Sequence, residues 1–235
     1  MKIITCFIRS SILTLSIFST ASATVLINEI DYDQAGTDIA EFIELFNSGP
    51  DNINLANYRL DLINGATTTV YRSFDLTGYS LAADGYFVIC ANASTVMNCD
   101  FDAGISKNMI QNGAPDGLAL FNGNDLIDAM TYEGVILDVT EGPNGALADN
   151  SAGTLSIGRL PGSQDTNDNA ADFEHGCITP GTANVSGSGN CSSAKVGTVP
   201  QPPVIWLLAS GLIGMLSSAK VRRKSTATTT SHAGD

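Results

Sequence analysis

Basic residues are scarce in this chain. Only 11 of its 235 residues are Lys or Arg, against 24 Asp and Glu, and the net charge is −13. Phosphate backbones are held by clustered Lys and Arg, so nucleic acid is not expected as a partner. Histidine is scarcer still, with His175 and His232 alone. Ser–His–Asp or Cys–His chemistry in the body of the chain would have to use His175, two residues from a cysteine; a surface or capping role suits it better. The sequence has no GxxxxGK[ST], HExxH or GxSxG pattern, so the common phosphate-loop, zinc-protease and nucleophile-elbow chemistries are excluded. No body segment sustains a 3.6-residue apolar period between caps, so almost no helix is expected there.

What basic charge exists lies mostly at the ends. Residues 24–199 hold 23 acids and five bases (Arg59, Arg72, Lys107, Arg159 and Lys195), a net of −18. Residues 1–23 carry Lys2 and Arg9 ahead of a short apolar run and Ala21-Ser22-Ala23. That order predicts a signal peptide at 1–23, cut by signal peptidase after Ala23. Near the other end, residues 204–219 are uncharged and are followed by Lys220-Val221-Arg222-Arg223-Lys224. Sixteen helical residues would reach about 24 Å against a hydrocarbon core of about 30 Å, a marginal transmembrane helix with Trp206 as interfacial anchor. Cytoplasmic retention of the basic cluster would leave the acidic body outside.

Residues 199–224 resemble the PEP-CTERM family of bacterial sorting signals in a VPxP variant. Val199, Pro200, Pro202, Trp206, Gly211, Arg222, Arg223 and Lys224 carry the resemblance. It implies processing by an exosortase-type enzyme after transient anchoring in the inner membrane, then delivery to the cell surface or extracellular matrix. Gln201 departs from the pattern, as does the polar tail at 225–235 beyond the basic cluster. A Ser/Gly-rich linker at 186–198 would tether the body to this signal.

The body, residues 24–185, reads as one all-β domain. Period-two runs rich in β-branched and aromatic residues predict strands over 25–31, 41–47, 58–63, 68–71, 86–90, 118–121, 126–132 and 155–159. In the first, alternation sets Val25, Ile27 and Glu29 on one face and Leu26, Asn28 and Ile30 on the other. Asn-Gly at 64–65, 112–113, 122–123 and 144–145, and Asp-Gly at 84–85 and 116–117, are hairpin-turn dipeptides. Such spacing reads as an antiparallel β-sandwich.

The residues Leu26-Ile27-Asn28-Glu29-Ile30, the run 40–47, Ile53-Asn54-Leu55 and the run 81–89 resemble the lamin tail domain family. So do Ser156-Ile157-Gly158-Arg159, Asp165-Thr166-Asn167, Asp172-Phe173 and the run 179–184. The resemblance implies an immunoglobulin-like sandwich and a structural place for Glu29 and Glu44.

Four cysteines remain beyond the leader: Cys90, Cys99, Cys177 and Cys191. Sequence proximity favours disulfides 90–99 and 177–191 over the other two pairings, in keeping with an exported protein. Glu29 with Asp31, and Asp38 with Glu41, are carboxylate pairs of the kind glycosidases use, but accidental pairs are unavoidable among so many acids. Calcium is the one candidate cofactor: Asp165, Asn167 and Asn169, with Asp172 nearby, open like a calcium loop. Ala170 and Gly176 at the sixth and twelfth positions exclude an intact EF-type loop; Glu174, or Asp31, Asp33 and Asp38, could supply a looser one. The expectation is a non-catalytic surface protein, not an enzyme, that binds or scaffolds exopolysaccharide or another envelope component. The competing reading is a secreted metal-dependent hydrolase (nuclease, phosphoesterase or glycosidase) or an accessory subunit of one.

Overall fold

The computed structural model describes residues 24–150, 152–187 and 191. The expected signal peptide with Ala23, most of the expected linker, the expected sorting signal and helix at 199–224, and the 225–235 tail lie outside these residues. Among the described residues no helix is long and apolar enough to cross a membrane.

The described chain is all-β with mostly antiparallel sheets, consistent with an immunoglobulin-like sandwich. Its strands are β1 (Val25–Asp31), β2 (Phe42–Asn47), β3 (Ile53–Asn54), β4 (Tyr58–Asn64), β5 (Thr69–Asp75), β6 (Ser80–Leu81) and β7 (Tyr86–Cys90). Next come β8 (Phe101–Asp102), β9 (Asp116–Asn122), β10 (Asp125–Tyr132) and β11 (Ser156–Arg159). A single helical turn, α1 (Asn169–Asp172), then precedes β12 (Phe173–Cys177) and β13 (Val185–Ser186). Among the described residues one sheet runs β13-β12-β11-β1-β2-β7-β8 and faces a second, β10-β9-β4-β5; β3 and β6 form a ribbon. Only the β7–β8 pairing in the first sheet is parallel.

The core fills the space between the two sheets. Val25, Ile27, Ile30, Ile43, Leu45 and Ile89 from the first meet Leu60, Leu62, Leu118, Leu120 and Met130 from the second. Burying such side chains yields roughly 1.5–3 kcal/mol each, the main force holding the layers together. Ile30 stands on the core side with Ile27, against the simple alternation expected of β1. The reason is a bulge: Ile27 pairs with Leu45 and Glu29 with Glu44, leaving Asn28 as an extra residue. One inserted residue reverses the facing of all that follow.

The eight expected strands are present with small changes of boundary, the largest an extension of the fourth hairpin strand to Asp75. The hairpin expected at Asn122-Gly123 forms with Gly123, at φ +61°, and Asn124 as its two turn residues, between the paired Asn122 and Asp125. Asp116-Gly117 does not turn: it begins β9, where a side chain at 117 would stand 2.9 Å from the Met130 carbonyl oxygen. His175 and Cys177 belong to β12, His175 opposite Ile157 of β11 and Cys177 opposite Val185 of β13. Ser186, expected in the linker, is still paired, opposite Gly176.

Both disulfides are those that sequence proximity favours, Cys90–Cys99 and Cys177–Cys191. The first ties β7 to the loop before β8. The second fastens the chain beyond β13 to β12. By loop-closure entropy each stabilises by ~2–3 kcal/mol. Replacing Cys90 and Cys99 with serine should therefore lower the melting temperature by roughly 4–12 °C, read by circular dichroism. An unchanged melt would show that the loop is held by other contacts.

Candidate functional site

Three arrangements of polar side chains stand out in the described domain. In the first, the segment between β12 and β13 straps the outer face of the large sheet. Glu29 and Glu44 are cross-strand partners on β1 and β2, both fully buried. Glu29 accepts from the Thr179 amide (2.9 Å), the Thr179 hydroxyl (2.7 Å) and the Ser156 hydroxyl (2.6 Å). Glu44 accepts from the Gly181 amide (2.6 Å) and from Asn28 Nδ2 (2.7 Å). Asn184 Nδ2 donates to the Asn28 and Arg159 carbonyls, each at 3.0 Å, which satisfies backbone released by the bulge. Glycine is required twice. Gly181 has φ +81°, and a Cβ there would lie 2.6 Å from Asn98 Cβ; a Cβ at Gly158 would lie 2.7 Å from Asn184 Nδ2. Burial pushes Glu29 up to about 7 and Glu44 up to about 8, Glu44 further by the neighbouring Glu29 charge.

The second arrangement surrounds Arg159, which is completely buried at the end of β11. Its Nη2 lies 2.9 Å from Asp128 and 3.8 Å from Glu141; its Nη1 lies 2.8 Å from Asp172 and 3.3 Å from Asp165. Its Nε donates to the Ile27 carbonyl at 2.8 Å, while the Ile27 amide donates to Asp128 at 2.5 Å. The guanidinium stacks 4.5 Å from the Phe173 ring centre. Asp128, Glu141 and Asp165 bring carboxylate oxygens within 4.8 Å of one another, close enough for a metal ion. Arg159 meets that charge. Of the four residues read as a calcium loop, Asp165 and Asp172 thus face a guanidinium. Asp172 also accepts from the Thr166 hydroxyl at 2.6 Å. Asn169 is buried and binds backbone, accepting from the Thr131 amide and donating to the Ala129 carbonyl. The Asn167 amide donates to Asp165 at 3.0 Å, an Asx turn. The four serve the scaffold here; Asp165 alone among them belongs to the carboxylate trio.

The third is a pocket of about 460 Å³ lined by Asp38, Asn64, Asn108, Ile110, Gln111, Asn112 and Gly113. The loop that forms its wall is held from behind. Glu41 accepts from the Met109 and Ile110 amides, at 2.5 and 2.8 Å. The Gln111 amide donates to Tyr71 Oη at 3.0 Å, and Tyr132 Oη donates to the Gln111 carbonyl at 2.8 Å. Arg72 Nε donates to the Met109 carbonyl at 3.0 Å, and the Asn108 amide to the Asp38 carbonyl at 2.9 Å. With its backbone groups so engaged, the loop presents side-chain amides to the pocket.

The first arrangement joins the early sequence block around Asn28, Glu29 and Glu44 to the late block around Thr179, Gly181 and Asn184. A family model for the Lamin Tail Domain matches residues 19–134. The match supports the lamin tail domain family. It takes in the early block, and the late block closes the same sheet in space. No curated protein matches the chain. Among solved structures, a DUF4876 family protein from Bacteroides thetaiotaomicron is similar at 13% identity, over 77% of this chain and 76% of that one, with a TM-score of 0.46.

In this domain the suspected carboxylate pairs are held apart by their roles. Glu29 holds the strap and Glu41 the pocket loop. Asp31, pushed up to about 8 mainly by burial, accepts from Gln34 at 2.9 Å, and Asp38 accepts from the Gln34 amide at 2.9 Å. His175 Nε2 lies 2.8 Å from the Ala148 carbonyl and serves the backbone. Sequence reading missed the amide pocket altogether. Asn112-Gly113 read as a hairpin turn, and only the convergence of Glu41, Tyr71, Arg72 and Tyr132 from separate strands reveals the loop as built.

Proposed function

We propose that this chain is an exported, non-catalytic protein of the cell surface or extracellular matrix, binding or scaffolding through its lamin tail domain. The supporting observation is where the acids go. Twenty-three carboxylates in residues 24–199 would make a hydrolase plausible on composition, but the buried ones described above bond to the scaffold. A metal-dependent hydrolase, or its accessory subunit, needs carboxylates converging on an open cleft; Asp128, Glu141 and Asp165 instead enclose Arg159. Two disulfides suit an oxidising destination.

In this proposal signal peptidase cuts after Ala23. The 204–219 helix holds the chain in the inner membrane, and an exosortase-type enzyme then acts at the 199–224 signal. The released partner-binding form would sit in exopolysaccharide or against another envelope component. Intact-mass measurement of surface-exposed protein should show a species beginning after Ala23 and lacking residues 204–235. A mass that retains them would reject the processing. The same proposal gives the domain no resident cofactor. Its melting temperature should be equal in EDTA and in millimolar calcium, and a calcium-dependent rise of several degrees would install the metal reading instead.

A further inference from the structure

We infer that the pocket walled by residues 108–113 is a saccharide site for the hydroxyl-rich face of an uncharged glycan. The inference rests on the surface-binding reading and gives that binding a place and a ligand class. Four of the seven lining residues carry neutral side-chain amides: Asn64, Asn108, Gln111 and Asn112. An amide offers a donor and an acceptor side by side, which matches hydroxyl groups that do both. Asp38 adds a carboxylate, an acceptor for paired hydroxyls. No Lys, Arg or His lines the pocket, so nothing in it would hold a phosphate, sulfate or uronate.

Part of this hydrogen-bonding capacity is already spent within the wall, and that shows what is left. Asn64 Nδ2 donates to Gln111 Oε1 at 2.7 Å, and Asn112 Nδ2 donates to Asp38 Oδ2 at 2.9 Å. Each contact fixes the plane of its amides. Among the described residues, Gln111 Nε2, Asn112 Oδ1 and the whole side-chain amide of Asn108 then have no hydrogen-bond partner in the protein. A donor, an acceptor and a complete amide thus stand unengaged on one short loop. The loop's backbone is bound by Glu41, Arg72, Tyr71 and Tyr132, so a ligand would order little that is not already ordered. Its volume of about 460 Å³ admits one or two sugar rings, leaving the rest of a polymer in solvent.

The test uses full-length protein purified in detergent. Gluco-, manno- and galacto-oligosaccharides are the neutral probes; an alginate oligomer and a single-stranded DNA oligomer are the anionic ones. Saturation-transfer NMR should detect at least one neutral probe and neither anionic probe. The N108A/Q111A double variant should weaken that binding about tenfold, as the loss of one or two hydrogen bonds implies, with an unchanged melting temperature. If the double variant melts early, Q111E replaces it. That change keeps an oxygen to accept from Asn64, replaces the free donor with a charged acceptor, and should weaken binding likewise. Binding to no neutral probe, binding to anionic probes alone, or neutral binding indifferent to both variants would overturn the inference. Protein that is processed and surface-exposed yet binds no saccharide would sink this inference alone. Unprocessed protein whose saccharide binding depends on the pocket would sink the export reading alone.

Discussion

Arg159→Met should cost the domain about 3–5 kcal/mol, a fall in melting temperature of roughly 6–20 °C. The side chain is fully buried, and methionine would fill much of its volume. The loss therefore comes from what remains. Asp128 would be left in the core without its 2.9 Å partner, Asp172 without its 2.8 Å partner, and the Ile27 carbonyl without its donor. An unpaired buried charge is far more costly than a missing ion pair, because nothing replaces the solvation both ions gave up. Arg159→Lys should fall between wild type and the methionine variant. An ammonium keeps the charge but cannot point separate donors at Asp128, Asp172 and Ile27 at once. Adding Asp128→Asn to the methionine variant should restore part of the loss, since the two residues act as a unit. Thermal melts of the four proteins decide it. A methionine variant within about a degree of wild type would mean that Arg159 is not the centre of the cage.

The same residues show what sequence could reveal. Alternating runs exposed the strands, because one face of each must be apolar to meet the opposite sheet. Alternation could not place Asn28, since a bulge leaves no mark on polarity. The bulge is recognisable only from what satisfies it: Asn184 reaching the Asn28 carbonyl and the Asp128–Arg159 pair holding Ile27. Those partners lie 101 to 156 residues away in the chain. The calcium-like spacing of Asp165, Asn167 and Asn169 says equally little about distant partners. Local spacing shows which oxygens are near one another, but not that Arg159 meets Asp165 while Asn169 turns to the backbone of β10. The cysteines were legible because both bridges close short loops. The pocket loop was not, because its side chains become a site only when Glu41, Tyr71 and Tyr132 are brought behind it.

Stability should rise, not fall, as the pH is lowered from 8.5 to 5.5. Burial raises Glu29 and Glu41 to about 7, and Glu44, Asp31 and Glu141 to about 8. In the unfolded chain these groups titrate near 4 to 4.5. Between those limits the folded protein holds protons that the unfolded chain releases, so unfolding is favoured as pH rises. The stability these groups contribute is whole below about pH 4 and is lost as pH climbs through 7 to 8. Glu29 alone would account for about 2 kcal/mol across this interval, or ~4–8 °C in melting temperature. Its surroundings accept the proton readily: with Glu29 neutral, the Thr179 hydroxyl at 2.7 Å can turn from donor to acceptor, and the other oxygen still receives the Thr179 amide and Ser156. Glu29→Gln mimics that neutral form. Its Nε2 would donate to Thr179 and its Oε1 would accept as before. The variant should match wild type near pH 5, exceed it near pH 8.5, and show a shallower slope between. Glu29→Ala would instead lose the strap at every pH, separating titration from mere contact. A wild-type melt that is flat or climbs with pH, or a glutamine variant with the full wild-type slope, would remove Glu29 as the titrating group. The strap it holds runs into β13, so loosening at alkaline pH would begin at that edge of the large sheet.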